Sequence, residues 1–115
     1  MTKAKTKSAT SPSELFFSQA QNREVDHELV GVGAVKVRDL SQSEIEKIRE
    51  KVKSVEDKEK RNTAFILTLV ANSVFVDGKR LFSDDDVSRF DAVGVSTMNP
   101  VIEKVMRTNG FFQGS

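Results

Sequence analysis

The sequence predicts a mainly α fold of the α+β class: an N-terminal β-hairpin followed by a small bundle of about four helices. Three observations lead there. Helix-start grammar recurs along the chain, one stretch alternates charged and apolar residues, and apolar residues return at helical spacing from Ile45 onward.

The clearest punctuation is Asp77-Gly78-Lys79-Arg80-Leu81-Phe82-Ser83-Asp84-Asp85-Asp86-Val87. Asp-Gly marks a turn because glycine takes positive φ without a Cβ clash. Ser83 and Asp86 have the spacing of a capping box, and Phe82 with Val87 that of a hydrophobic staple, so the chain is expected to fold back here from helix to helix. The same pattern stands at Leu40-Ser41-Gln42-Ser43-Glu44-Ile45. It recurs at Ser11-Pro12-Ser13-Glu14, where proline occupies a first-turn position that needs no N–H.

In chain order, residues 1–10 are lysine, threonine, serine and alanine with little apolar surface to offset ordering, and are expected to form a disordered basic tail. A short helix follows the Ser11 cap to about Ala20. Residues 24–38 are expected to form the hairpin. If Gly31-Val32-Gly33 is the loop, Glu28 opposes Lys36 and Asp26 opposes Arg38 on a solvent face, while Leu29 opposes Val35 and His27 opposes Val37 on a core face.

The helical body is placed at about 41–110, so that 11–115 form a single globular domain. Ile45, Ile48, Val52 and Val55 give one helix a buried stripe. The charge run Glu56 to Arg61 either caps a new helix at Asp57 or bends the old one. Ala64 to Val76, apolar on nearly all sides, is expected to be a central helix. A short helix from Asp84 to about Ala92 turns Val87 and Phe90 inward and ends at Gly94. The last helix begins near Ser96 or at Asn99-Pro100, carries Val101, Ile102, Val105 and Met106, and stops at the Asn109-Gly110 cap.

Composition narrows the function classes. Eighteen Lys and Arg balance seventeen Asp and Glu over 115 residues, which leaves no large field to steer the chain toward nucleic acid or an anionic membrane. Without cysteine there is neither a disulfide framework nor a thiolate zinc site, in keeping with a reducing cytoplasm. The longest apolar run is too short to span a bilayer, and the basic amino terminus lacks the apolar segment of a signal peptide.

No enzymatic constellation is legible, and no cofactor or metal is expected. Asp84-Asp85-Asp86 lacks the alternation, the glycine and the later glutamate of a calcium loop, and carboxylates there suit a helix's positive end. His27, the single histidine, is expected to be a packed residue with one hydrogen bond. Gly31-Val32-Gly33 has no third glycine to complete a dinucleotide fingerprint. Lys3, Lys5, Lys7, Lys79 and Arg80 are scattered cations without stacking aromatics, a weak nucleic-acid signal.

Eight phenylalanines stand beside no tyrosine or tryptophan, and Phe16-Phe17 and Phe111-Phe112 form adjacent pairs near the two ends. Neighbouring side chains point apart, so one of each pair needs a second surface. Either both ends fold back on the core, or these four residues form a partner-binding patch.

The order of parts resembles the tail assembly chaperones of long-tailed, siphovirus-type bacteriophages. The matching features are Val35-Lys36-Val37-Arg38-Asp39-Leu40-Ser41 leading to Glu44, then Arg61 with Ala64, then Asp77-Gly78 with Leu81-Phe82-Ser83 and Asp85, and finally Asn109-Gly110. The resemblance implies a non-enzymatic assembly factor in the host bacterial cytoplasm, absent from the mature virion, that binds the tape measure protein and helps recruit tail tube subunits. Self-association stays open. A small nucleic-acid-binding or regulatory protein, or a minor structural virion protein, are the alternatives.

Overall fold

The computed structural model describes residues 11–19 and 23–111. The basic segment 1–10 and Phe112 lie outside them. Helix α1 spans Pro12–Gln19, strands β1 and β2 span Glu24–Leu29 and Gly33–Arg38, and helices α2 and α3 span Gln42–Val52 and Lys58–Ser73. Strands β3 (Val74–Val76) and β4 (Lys79–Arg80), a 3₁₀ helix (Asp84–Ala92) and helix α4 (Val95–Thr108) complete the chain. The class is α+β, as the sequence predicts, with the hairpin at 24–38 and helices after it.

The sheet is larger than a hairpin. Its four strands run in the order β1-β2-β3-β4, every pair antiparallel. Ala64 to Val76 is therefore not one helix: α3 stops at Ser73, and Val74 enters extended backbone at φ −98°, ψ 125°. Val74-Phe75-Val76 is a β-branched and aromatic triplet that a pleated surface accommodates well. Asp77 at φ 52° and Gly78 at φ 79° then give the two left-handed positions of a type I′ hairpin turn. The chain folds back at Asp77-Gly78 from strand to strand, not from helix to helix.

The first hairpin has the expected faces in a different register. Glu24 pairs with Arg38, Asp26 with Lys36, His27 with Val35 and Leu29 with Gly33, which puts Val30-Gly31-Val32 in the loop. The Val32 N–H reaches the Leu29 carbonyl at 3.0 Å, and Gly31, at φ 83°, takes the third place of that turn, where positive φ favours glycine. Relative to the expected pairing the strands slide by two residues. A slide of two keeps every side chain on its own face, because the pleat repeats every two residues.

Helix starts follow the side-chain grammar. At Ser41 both halves of the capping box form: Glu44 N–H donates to Ser41 Oγ at 3.2 Å, and Ser41 N–H donates to Glu44 Oε1 at 2.8 Å. Asp57 caps a new helix by accepting from Glu59 N–H at 2.9 Å, so α2 and α3 are separate. Arg61 braces their junction by donating to the Val55 carbonyl at 2.8 Å. At Ser83 the N–H donates to Asp86 Oδ2 at 2.9 Å, while Asp86 N–H bonds the Ser83 carbonyl at 3.0 Å, the tighter i to i+3 pattern. Residues 84–92 accordingly form a 3₁₀ helix.

That helix ends at Ala92 with Val93 as its C-cap, and Gly94, expected to end it, serves instead as the N-cap of α4, which begins at Val95, earlier than the sequence suggests, and carries Pro100 inside it. At the other end Phe111 N–H bonds the Met106 carbonyl at 2.8 Å and Gly110 N–H bonds the Arg107 carbonyl at 3.1 Å, with Gly110 at φ 80°. This is a Schellman motif. Helix α4 packs on β1 and β2, and α3 packs on α2, α4 and the 3₁₀ helix. Val35, Val37, Ile45, Ile48, Leu69, Val70, Val74, Phe90, Val101 and Val105 close into one core between them.

Candidate functional site

The structure places the Phe16-Phe17 pair and Phe111 in opposite settings. Helix α1 forms because Ser11 Oγ accepts the Glu14 N–H at 3.2 Å and the Ser11 carbonyl accepts the Leu15 N–H at 3.0 Å, with Pro12 at its first position. Yet none of its residues is buried. Leu15, Phe16 and Phe17 remain 51%, 63% and 61% exposed, and the two rings touch edge to face at 5.1 Å between centroids. An eight-residue helix is marginal in water by itself, and contiguous exposed apolar surface of this kind marks interaction sites.

Phe111 does the reverse. Set by the Schellman turn, it lies half-buried against Phe65, ring centroids 5.6 Å apart at 83°. The Arg49 guanidinium also lies over the Phe65 ring, 5.1 Å from its centroid. Of the expected patch, Phe16 and Phe17 face solvent, Phe111 joins the core, and Phe112 lies outside the described residues.

Two grooves flank the 3₁₀ helix. One, roughly 580 Å³, is lined by Leu81, Phe82, Phe90 and Val93, with Asp86 and Arg89 at its edge. The other, roughly 460 Å³, runs between Ala64, Leu67 and Thr63 of α3 and Val87, Ser88 and Asp91. Phe82 and Phe90 meet edge to face at 5.0 Å and form the wall of the first. Phe82 and Val87, expected to form a staple, line different grooves, Phe82 the first and Val87 the second.

The charged residues have structural employment. Asp84 bonds Lys51 of α2 and, at 3.0 Å, Arg80 of β4, and these two contacts hold its carboxyl below the usual aspartate range. The Ser83 N–H does the same for Asp86. Arg80, one of the scattered cations, also donates to the Ala71 carbonyl at 3.1 Å, which ties β4 to α3. Lys3, Lys5 and Lys7 lie outside the described residues. Among the described residues no cluster of histidine, aspartate and glutamate is arranged to hold a metal ion.

His27 lies half-buried on the core face, opposite Val35. Burial lowers its pKa first, and Lys104 of α4 adds to the effect against an opposing pull from Glu28. The expected hydrogen bond is missing: among the described residues the imidazole packs without one. On the solvent face Asp26 pairs with Lys36 and Glu24 with Arg38, and the Arg38 guanidinium stacks on Phe75 at 3.8 Å. No helix among the described residues is long and apolar enough to cross a membrane.

These elements define a small α+β domain: a four-stranded antiparallel sheet carrying α4 and α3, with a capped, unburied helix ahead of it. Among solved structures this fold is similar to that of the bacteriophage HK97 tail assembly chaperone. The match has a TM-score of 0.57 and 20% sequence identity, and covers 85% of this chain and 98% of that one. No protein-family model matches the chain, and no curated protein does.

Proposed function

We propose that this chain is a phage tail assembly chaperone that binds the tape measure protein and helps recruit tail tube subunits while the tail is built. The observation that carries the reading is the likeness to the HK97 tail assembly chaperone over 98% of that chain. Helix α1, whose Leu15, Phe16 and Phe17 are uncovered by the rest of the fold, supports it by offering apolar surface to a client. A tape measure protein is a long helical client whose apolar stripe would aggregate unless covered, and helix-against-helix recognition suits this small, helix-rich scaffold. The protein acts in the host bacterial cytoplasm as a non-enzymatic factor and does not remain in the mature virion.

Co-expression tests the reading. The tape measure protein encoded in the same genome should become soluble and co-purify with this chain, and purified tails should lack it. A client that is soluble alone, or the absence of a complex on size exclusion at micromolar concentration, overturns it.

A further inference from the structure

Strand β1 is the outer strand of the sheet, and its far edge is open. The Asp39 N–H bonds the Arg23 carbonyl at 2.8 Å, so Arg23 turns its backbone groups toward β2, and antiparallel alternation does the same for Val25, His27 and Leu29. The N–H and C=O groups of Glu24, Asp26 and Glu28 therefore point away from the sheet, and among the described residues no backbone partner takes them. Folded proteins cover or blunt such an edge, because it is a template for another strand.

The same three residues carry carboxylates on the solvent face. Glu24 and Asp26 have cationic partners in Arg38 and Lys36, whereas Glu28 stands opposite Ala34 and has no ion-pair partner among the described residues. A strand added here sets its alternate residues beside them, so cations at i, i+2 and i+4 match it best. Outside helix α2 the chain contains one such run, Lys3-Ala4-Lys5-Thr6-Lys7. Sixteen residues, 8–23, separate that run from β1, and eight of them form α1. This is the make-up of a parallel crossover, which takes a dozen or more residues and is usually helical. Helix α1, about 12 Å long, matches the return of about 13 Å between the two ends of a five-residue strand.

We propose that residues 3–7 pair with the free edge of β1 in the same chain as a parallel fifth strand, with Lys3 beside Glu24, Lys5 beside Asp26 and Lys7 beside Glu28. The basic amino terminus is then an edge cover, not the free tail that its composition suggests. The chain's own segment is favoured over that of a second copy. Exposed ion pairs are individually weak, and tethering supplies a local concentration of about millimolar order that a separate molecule at micromolar concentration lacks.

Hydrogen exchange on the full chain at about 20 mM NaCl tests the edge amides directly. Those of Asp26 and Glu28 should exchange at least about fivefold more slowly than in Lys3→Glu/Lys5→Glu/Lys7→Glu, while those of Val25 and His27, bonded to β2, should not differ. About 0.5 M NaCl should remove most of the difference, because surface pairs are screened. Lys7→Glu and Glu28→Lys should each reduce the protection and together restore it, whereas Lys3→Glu with Glu28→Lys should not. Equal exchange of the edge amides in the parent and the triple variant overturns the proposal. So does rescue through Lys3, which specifies an antiparallel strand, or protection that rises with protein concentration from about 10 to 200 μM, which assigns the strand to a second copy.

Discussion

The carboxamide oxygen of Asn109 accepts the backbone N–H of Leu40 at 2.7 Å, across 69 positions of sequence. Its amide nitrogen donates to the carbonyls of Arg38 at 3.3 Å and Val105 at 3.0 Å, and to Ser73 Oγ at 3.4 Å. One side chain thus joins the exit of β2, the end of α3 and the end of α4. Ser73 is fully buried, and Leu40 nearly so. Each needs an internal partner that water cannot replace.

Asn109→Ala should therefore cost about 1–3 kcal/mol, the range for leaving buried polar groups unpaired. Asn109→Asp should not restore it, since a carboxylate keeps the acceptor for Leu40 but turns lone pairs toward two carbonyls. Urea denaturation of both variants checks this. Stability close to that of the parent protein for Asn109→Ala would mean that the contact has no role in joining the exit of β2 and the end of α3 to α4.

Such contacts are where sequence legibility ends. Asn109-Gly110 announces a helix terminus, and the Schellman turn stands there, but nothing local says that the side chain of Asn109 will reach Leu40. The capping box at Ser41 was legible because both partners lie within one turn. In 64–76 every face is apolar, so periodicity could not divide helix from strand; the Val74-Phe75-Val76 triplet before Asp-Gly was the available signal. The exposed Phe16-Phe17 pair is visible in sequence as an adjacency, whereas its contrast with Phe111 depends on Phe65, 46 positions upstream in the chain.

The hairpin register was ambiguous for a related reason. Charge complementarity is satisfied whether Asp26 faces Arg38 or Lys36, and the turn at Gly31 decides for Lys36. Exchanging the signs of both partners, Asp26→Lys with Lys36→Asp, should be tolerated better than either change alone, because directly opposed like charges repel. A double variant no better than the two losses combined would reject the pairing. Gly31→Ala should also weaken the hairpin, by about 1 kcal/mol, since its φ of 83° disfavours any Cβ although the space around it is open.

The protein should lose stability on mild acidification through one residue. Burial and Lys104 lower the pKa of His27 from its ordinary value of 6.5, so the folded state favours the neutral imidazole. The sign follows: the contribution is complete above the unfolded value and is lost as pH falls through that value toward the folded one. Unfolding free energy should decline as pH falls through the ordinary imidazole value of 6.5, and His27→Gln should flatten that slope. Asp26, Asp84 and Asp86 have lowered pKa values through Lys36, through Lys51 with Arg80, and through the Ser83 N–H, so their share is lost only below the ordinary aspartate value of 3.8. A slope unchanged in His27→Gln would place the mild-acid effect elsewhere.

Phe16 and Phe17 provide the sharpest separation of function from stability. Because α1 buries nothing, replacing both by serine removes no core contact, and the melting temperature should stay nearly constant. Client binding is a different matter. If the chain covers an apolar stripe of the tape measure protein through α1, losing two rings that are more than half exposed removes much of the available contact surface, and buried aromatic anchors carry a large share of binding energy. Co-purification should fall steeply in Phe16→Ser/Phe17→Ser. Phe65→Ser should behave oppositely, lowering the melting temperature through loss of its packing against Phe111 and of its cation–π contact with Arg49. Undiminished client binding in the double serine variant would remove α1 from the client surface and direct attention to the grooves beside the 3₁₀ helix.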